Sequence, residues 1–398
     1  MKNVLQSKPQ SFAAKMFYNI FFTLRYDQAS HLRFLFTRLL LFKNEHRTLF
    51  FFTFIIYLKK PMKSNQTTIK DIARSLGISP STVSRALKDH PDISMETRKA
   101  VKKLAREWNY QPNAVALSLK HSRSFTIGVI IPETVHYFFS TVISGIEDVA
   151  YEAGYNIMIC QSNEMYDREV SNAQMLYSNR VDGLLVSLAK QTEKVDHLKF
   201  FQDNNIPVVF FDRGTDAFPC DQVLIDDYKA AYLASCHLIR RGHKRLIHLA
   251  APQNLIIGRN RYRGFLDALN DNGIDALIPN LFPADQFDMG YEVLDRLIET
   301  KSLPDGIFAV NDLTALGAIK ALKKAKINLP GQVGIVGFGN SDHATLIEPT
   351  LTTIDQNGYS MGKTAAKLLL KRINGGLENY QPEKHIIETR LIERESTL

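Results

Sequence analysis

Between residues 68 and 120 the apolar positions recur with a helical period. Ile69, Ile72, Ala73 and Leu76 share one helix face. Thr68 stands where a capping hydroxyl is needed, and Gly77 where a left-handed residue ends a helix. Ser79 caps a second segment whose first position is Pro80, where a missing N–H costs nothing. Two short helices across a tight glycine turn make a helix-turn-helix, a unit that lays its second helix in the DNA major groove. A third helix is predicted from the Ser94 cap to near Tyr110. It buries Val101, Leu104, Ala105 and Trp108 and turns Lys99, Lys102, Lys103 and Arg106 mostly elsewhere.

From Phe125 the pattern changes. Short apolar runs at 125–131, 155–160, 182–186, 207–211, 245–250, 305–310 and 332–338 are separated, for the most part, by amphipathic helical stretches. That is a βαβ series, with parallel sheets buried on both faces. Ligands of such sheets bind at the carboxyl ends of strands. The loops there hold His136, Tyr137, Phe138 and Phe139, then Ser187 and Leu188, then Asp212 and Arg213. Further along come Asn260, Arg261 and Arg263, the Asn311-Asp312 pair, and the run Phe338 to Asp342 that contains Asn340.

The first 62 residues fit neither pattern. They hold eleven of the 24 Phe residues, with no clean period. Their longest apolar run, 49–58, has ten residues, whereas a membrane span needs about 20. The apolar patch at 31–42 is broken by Arg33 and Arg38, and no cleavage signature follows. Translation starting at Met62 is the favoured reading, with a loosely amphipathic tail or a membrane contact as alternatives.

Charge then separates the remaining parts. Residues 63–121 carry eleven basic and five acidic side chains, and residues 122–398 carry 28 and 34. A basic headpiece on an acidic body is the electrostatic footprint of a DNA-binding module. The three cysteines, Cys160, Cys220 and Cys236, show no metal spacing and are expected to be buried thiols in a reducing cytoplasm.

The run from Thr68 to Lys120, followed by SFTIGVIIP at 124–132, resembles a LacI-type transcriptional regulator, and the likeness extends over roughly 63–398. It implies an all-α helix-turn-helix headpiece with a hinge helix, joined to an α/β two-lobed periplasmic-binding-protein-like effector domain with parallel sheets. The expected divisions are 63–110 for the headpiece, 111–123 for the hinge and 124–398 for the effector domain. Its N-lobe would take about 124–226 and 356–386, and its C-lobe about 227–355 and 387–398.

The resemblance also implies site residues. Base contacts fall on Pro80, Ser81 and Arg85, whose guanidinium can fork onto guanine. Thr82 and Ser84 suit phosphate or capping roles, and Thr68 joins this set at the first helix start. In the hinge, Leu119 matches a minor-groove wedge, Ala116 the small residue beside it and Asn113 the helix start. Leu117 stands where the family often has Arg.

For the effector, R-x-x-G-F matches Arg261, Gly264 and Phe265, and N-D-x-x-A-x-G matches Asp312, Ala315 and Gly317. A carboxylate that accepts hydroxyl protons, a forked guanidinium and an aromatic cover suit a polyhydroxylated ring. The expected effector is therefore a sugar or sugar derivative, with a nucleobase or phosphorylated metabolite as the alternative. Its contacts are Phe138, Phe139, Ser187, Asp212, Arg213, Arg261, Asp312 and Asn340. Asp212 and Arg213 have the alternative of pairing only with each other. The tail motif PTLTTIDQ at 349–356 is read as structural, the strand returning to the N-lobe.

The expected partners are a pseudo-palindromic double-stranded operator and a second copy of the chain, with no membrane. No metal or cofactor is expected. A sugar-binding protein would share the body but lack residues 68–120. An NAD enzyme is disfavoured because Gly334, Gly337 and Gly339 are spaced G-x-x-G-x-G. Deleting residues 1–61 is expected to leave DNA binding and effector response intact and to raise solubility, as measured by operator titration and sedimentation. Peptides from that segment in the native host would refute the Met62 start.

Overall fold

The computed structural model describes residues 67–111, 123–275, 280–375 and 380–398. The chain divides at Pro112/Asn113 into two compact units.

In the first unit, α1 is Ile69–Leu76, α2 is Pro80–Leu87 and α3 is Met95–Glu107. Each start is satisfied by a side chain. The Asp71 N–H donates to Thr68 Oγ1 at 3.3 Å, and the Thr68 N–H donates back to Asp71 Oδ2 at 3.0 Å. Ser79 Oγ accepts from the Thr82 N–H at 3.1 Å, and Ser94 Oγ from the Thr97 N–H at 3.2 Å. Gly77 turns the chain at φ 64°. Ile72, Ala73, Val83, Ala86, Val101 and Ala105 form the core. Full burial of each Ile or Val there contributes about 1.5–3 kcal/mol. Trp108 departs from its expected place. The helix stops at Glu107, so Trp108 is its C-cap and is 39% exposed. Tyr110 packs on the core instead.

The second unit has two six-stranded sheets. The N-lobe sheet is built from β1 (Thr126–Ile131), β2 (Asn156–Gln161), β3 (Gly183–Val186), β4 (Val208–Phe211), β5 (Asp221–Ile225) and β11 (Lys384–Ile387), in the order β11-β5-β4-β3-β1-β2. The C-lobe sheet has β6 (Leu246–Ala250), β7 (Leu281–Pro283), β8 (Gly306–Ala309), β9 (Gly334–Phe338), β10 (Thr352–Asp355) and β12 (Arg390–Ile392), in the order β12-β10-β9-β8-β6-β7. All pairs are parallel except β10 with β12. The chain therefore passes between sheets after Ile225, after Asp355 and after Ile387.

The helices α4 (Tyr137–Glu152), α5 (Tyr166–Ser178), α6 (Asp196–Asp203) and α12 (Gly358–Gly375) serve the N-lobe. The C-lobe has α7 (Asp227–Arg240), α8 (Ile256–Asp271), α9 (Phe287–Glu299), α10 (Asp312–Lys324) and the short α11 (His343–Leu346). Strands β3, β4, β6, β8 and β9 are buried throughout, which is why they read as unbroken apolar runs. Edge strands β2, β11 and β12 have exposed positions, and β11 and β12 have no such run. Glycine 337 lies within β9, so the G-x-x-G-x-G stretch is strand and loop edge rather than a phosphate cradle. Cys160 and Cys220 are buried and Cys236 is half-buried. Among the described residues, no helix is long and apolar enough to cross a membrane.

Two motif glycines set helix spacing. A β-carbon on Gly264 of α8 would collide with the Tyr228 carbonyl of α7, and one on Gly317 of α10 with the Phe287 carbonyl of α9. Both obstacles are backbone, which yields little. Gly264→Val is expected to cost about 1–3 kcal/mol, read as a lowered melting midpoint. The same change at Gly375, where nothing among the described residues lies within 4 Å, is expected to leave the midpoint nearly unchanged.

Candidate functional site: a charged cleft and a reading helix

The carboxyl ends of the two sheets face a cavity of about 110 Å³. On its C-lobe wall Arg261 is held three ways. Its Nε donates to Asp227 Oδ1 at 2.7 Å and its Nη1 to the Val310 carbonyl at 2.8 Å, and the guanidinium lies 3.7 Å from the Phe338 ring centroid. Burial pushes the Asp227 carboxyl up to about 6, with Arg261 pulling the other way.

Asn311, not Asp312, caps α10, its Oδ1 accepting from the Thr314 N–H at 2.8 Å. Asp312 is thus the first helical residue and lines the cavity. Its Oδ1 accepts from Thr353 Oγ1 at 2.6 Å and its Oδ2 from the Ser341 N–H at 2.7 Å. Burial raises its pKa against those bonds. Gly337 leaves the room: a β-carbon there would strike Asp312 Oδ1.

On the N-lobe wall, Phe138 and Phe139 open α4 with ring centroids 5.3 Å apart, edge to face. Both line the cavity and belong to the core. Asp212 lines it too, at φ 59°, and Ser187 Oγ donates to its carboxylate at 3.2 Å. Arg213 is shared between two acids. Its guanidinium forks onto Glu164 at 2.7 and 3.1 Å, while its nearest approach to Asp212 is 3.8 Å. Asp212 and Arg213 do form an ion pair, but not only with each other: the shorter, bidentate bond goes to Glu164, which better satisfies a planar fork. Burial raises the Glu164 carboxyl, but Arg213 and Lys190 outweigh it and hold it below the usual range.

Six of the eight expected effector contacts meet in this cavity: Phe138, Phe139, Asp212, Arg213, Arg261 and Asp312. Two do not line it. Ser187 is fully buried behind Asp212. Asn340 is drawn aside by Arg394, whose Nη2 donates to Asn340 Oδ1 at 2.7 Å, and Ser341 lines the cleft in its place.

Sequence reading missed Glu164, Lys190 and Asp285. Lys190 Nζ lies 2.6 Å from Asp285 Oδ2 and so ties the N-lobe to the C-lobe, and Asn254 adds a 2.7 Å bond to the Lys190 carbonyl. The signal for Glu164 and Asp285 was positional. Both follow carboxyl ends of strands, but β7 is three residues long and was not recognised. Gln356, read only as structural, also lines the cavity.

On the headpiece, Pro80, Ser81 and Arg85 are exposed on α2 and Ser84 is half-buried. The Ser81 and Thr82 hydroxyls lie 2.6 and 2.9 Å from Ser79 Oγ, an N-cap cluster. The Thr68 hydroxyl is engaged by Asp71 at 2.6 Å. Asn113, Ala116 and Leu119 lie outside the described residues.

Residues 68–113 match the profile described as bacterial regulatory proteins, lacI family, and residues 236–397 the periplasmic binding protein-like domain. The HTH-type transcriptional repressor PurR of Actinobacillus pleuropneumoniae serotype 3 is 32% identical over 330 residues, 83% of this chain and 98% of the relative. The lac repressor dimer bound to operator and the anti-inducer ONPF has a TM-score of 0.73 over 84% of this chain and 99% of its own. At 23% identity it is a likeness of fold. A LacI family regulator from Enterococcus faecium with bound ribose is 31% identical, with a TM-score of 0.61 over 68% of this chain and 98% of its own.

A helix-turn-helix in one unit and a two-lobed cleft in the other, with these likenesses, mark an effector-controlled DNA-binding regulator rather than an enzyme. The chain belongs to the LacI family of bacterial transcriptional regulators.

Asp227 supplies a direct check on the cleft. By carboxyl ¹³C NMR it is expected to titrate near pH 6, with Arg261→Met moving the midpoint higher because the attracting charge is gone. The native value lies above the unfolded one, about 3.9. The folded state therefore holds the extra proton between about pH 4 and 6, and this group's stabilisation is lost as pH rises through that window. A midpoint near 4 would refute the burial.

Proposed function

We propose that this chain is a repressor that binds a pseudo-palindromic operator as a two-fold dimer and whose operator affinity is set by a small uncharged ring metabolite held between the lobes. One observation carries the word uncharged. Each strong cation of the cavity is already met: Arg261 by Asp227, Arg213 by Glu164 and Lys190 by Asp285. A phosphate dianion would have to break one of those pairs and face Asp212 and Asp312 as well. A neutral ring with several N–H or O–H donors would instead find carboxylates as acceptors.

Within that class a nucleobase comes first, because the PurR-named relative matches this chain over nearly its own full length. Ring edges that carry both donors and acceptors suit paired Asp and Arg groups. The second reading is a pentose-sized sugar. It is favoured by the ribose-bound relative at 31% identity and by the Asp212, Asp312 and Arg261 set. Dimeric binding fits the unit, since one helix-turn-helix reads too few base pairs for specificity.

A thermal-shift screen with nucleobases, free sugars and sugar phosphates separates the classes. Stabilisation by sugar phosphates alone would overturn the uncharged assignment. Asp312→Ala is expected to weaken effector binding on the order of tenfold to a hundredfold while effector-free operator binding stays nearly unchanged. Leu119→Ala is expected to do the reverse. An Asp312→Ala protein that lost DNA binding but kept its ligand would refute the cleft.

A further inference from the structure

The base-reading role falls on α2, yet the densest positive charge of the headpiece lies on α3. That helix carries Arg98, Lys99, Lys102, Lys103 and Arg106 in thirteen residues. Lys99, Lys102, Lys103 and Arg106 line one shallow surface hollow with Glu107. Two of the α3 cations are used within the unit. Lys102 binds Asp89 at 2.6 Å and Arg98 donates to the Asp89 carbonyl at 3.4 Å. Both bonds tie α3 to the turn that follows α2.

The other three are loosely paired or unpaired among the described residues. Lys103 reaches Glu107 only at 3.9 Å, with 78% of its side chain exposed. Lys99 and Arg106 are exposed and make no side-chain hydrogen bond or ion pair among the described residues. Lys99 and Lys103, like Lys102 and Arg106, are four residues apart on one helix. Like charges at that spacing repel and weaken the helix. A surface that leaves Lys99 and Arg106 unpaired and Lys103 only loosely paired is suited to a partner that supplies further negative charge.

We propose that the exposed face of α3 is a second DNA-contacting surface, which takes phosphates of duplex DNA that α2 does not read. It rests on the reading of this unit as DNA-binding. Positions 99, 103 and 106 span about 10 Å of helix axis, a length over which one DNA strand carries about three phosphates. Two of the three are lysines, point charges on long stems that tolerate varied geometry. A protein partner fits less well, because protein interfaces are depleted in Lys and seated on apolar or aromatic centres. The contact carries no base information. It adds affinity that is independent of sequence and sensitive to salt.

The test uses the full chain and a mixed-sequence 40-base-pair duplex, titrated from 50 to 200 mM salt. In a Lys99→Gln, Lys103→Gln, Arg106→Gln variant the slope of log affinity against log salt is expected to shrink by about 2–3. A Lys99→Arg, Lys103→Arg variant is expected to keep the parent slope. So is a Lys194→Gln, Lys301→Gln, Lys326→Gln control, which removes the same charge from exposed sites in the effector domain. The melting midpoint of the first variant is expected not to fall, since repulsion is relieved. An unchanged slope, or an equal change in the control, overturns this proposal alone. Absence of salt-dependent duplex binding by the parent chain overturns it together with the DNA-binding reading.

Discussion

A buried guanidinium has to have its charge met, and much of the effector domain is arranged around meeting that of Arg261. Leaving such a charge unpaired in the interior costs several kcal/mol. Here Asp227 comes from the start of α7, the Val310 carbonyl from the end of β8 and the Phe338 ring from the end of β9. One side chain of α8 therefore draws three other elements to a common point. Any shift of α8 against the sheet strains all three contacts together. Asp227 bears the cost, its carboxyl pushed up to about 6 by burial.

The same logic recurs across the cleft. Arg213 is met by Glu164, and Lys190 by Asp285 from the opposite lobe. The last pair joins the two lobes, and parting it would leave two charges to be solvated apart. A ligand shifts any two-state equilibrium only through its different affinity for the two states. The chain crosses between lobes three times beside the cleft. Gln356 sits in one crossing and lines the cavity, and α12 begins at Gly358, against Phe138 and Thr141 of α4. One crossing segment thus lines the cavity and leads into a helix packed on α4.

Legibility of the site followed the reach of each residue. Arg261 and Asp312 could be placed at the cavity because motif and strand-end position agreed, and Phe138 and Phe139 by strand-end position alone. Asn340 had the right position, but Arg394, fifty-four residues away, claims its amide. Arg213 was seen, but its partner lies on another strand end, forty-nine residues off. Motif glycines 264 and 317 were legible as pattern. That they mark backbone contact between helices was not, since the obstacle belongs to a different helix.

The sequence by itself determined what depends on neighbours within a turn or two: the capped helices of the headpiece, the position of Gly77, the buried strands β3, β4, β6, β8 and β9, and the polarity of a basic headpiece on an acidic body. Those follow from period, capping chemistry and local charge. Only the tertiary structure decided the short or edge strands β5, β7, β11 and β12, the exposure of Trp108, and the partners of every charge in the cleft. An edge strand shows polar residues because one side meets water, so its pattern resembles a loop. A buried ion pair joins residues far apart in the chain, and nothing in local spacing records which acid will stand opposite which base.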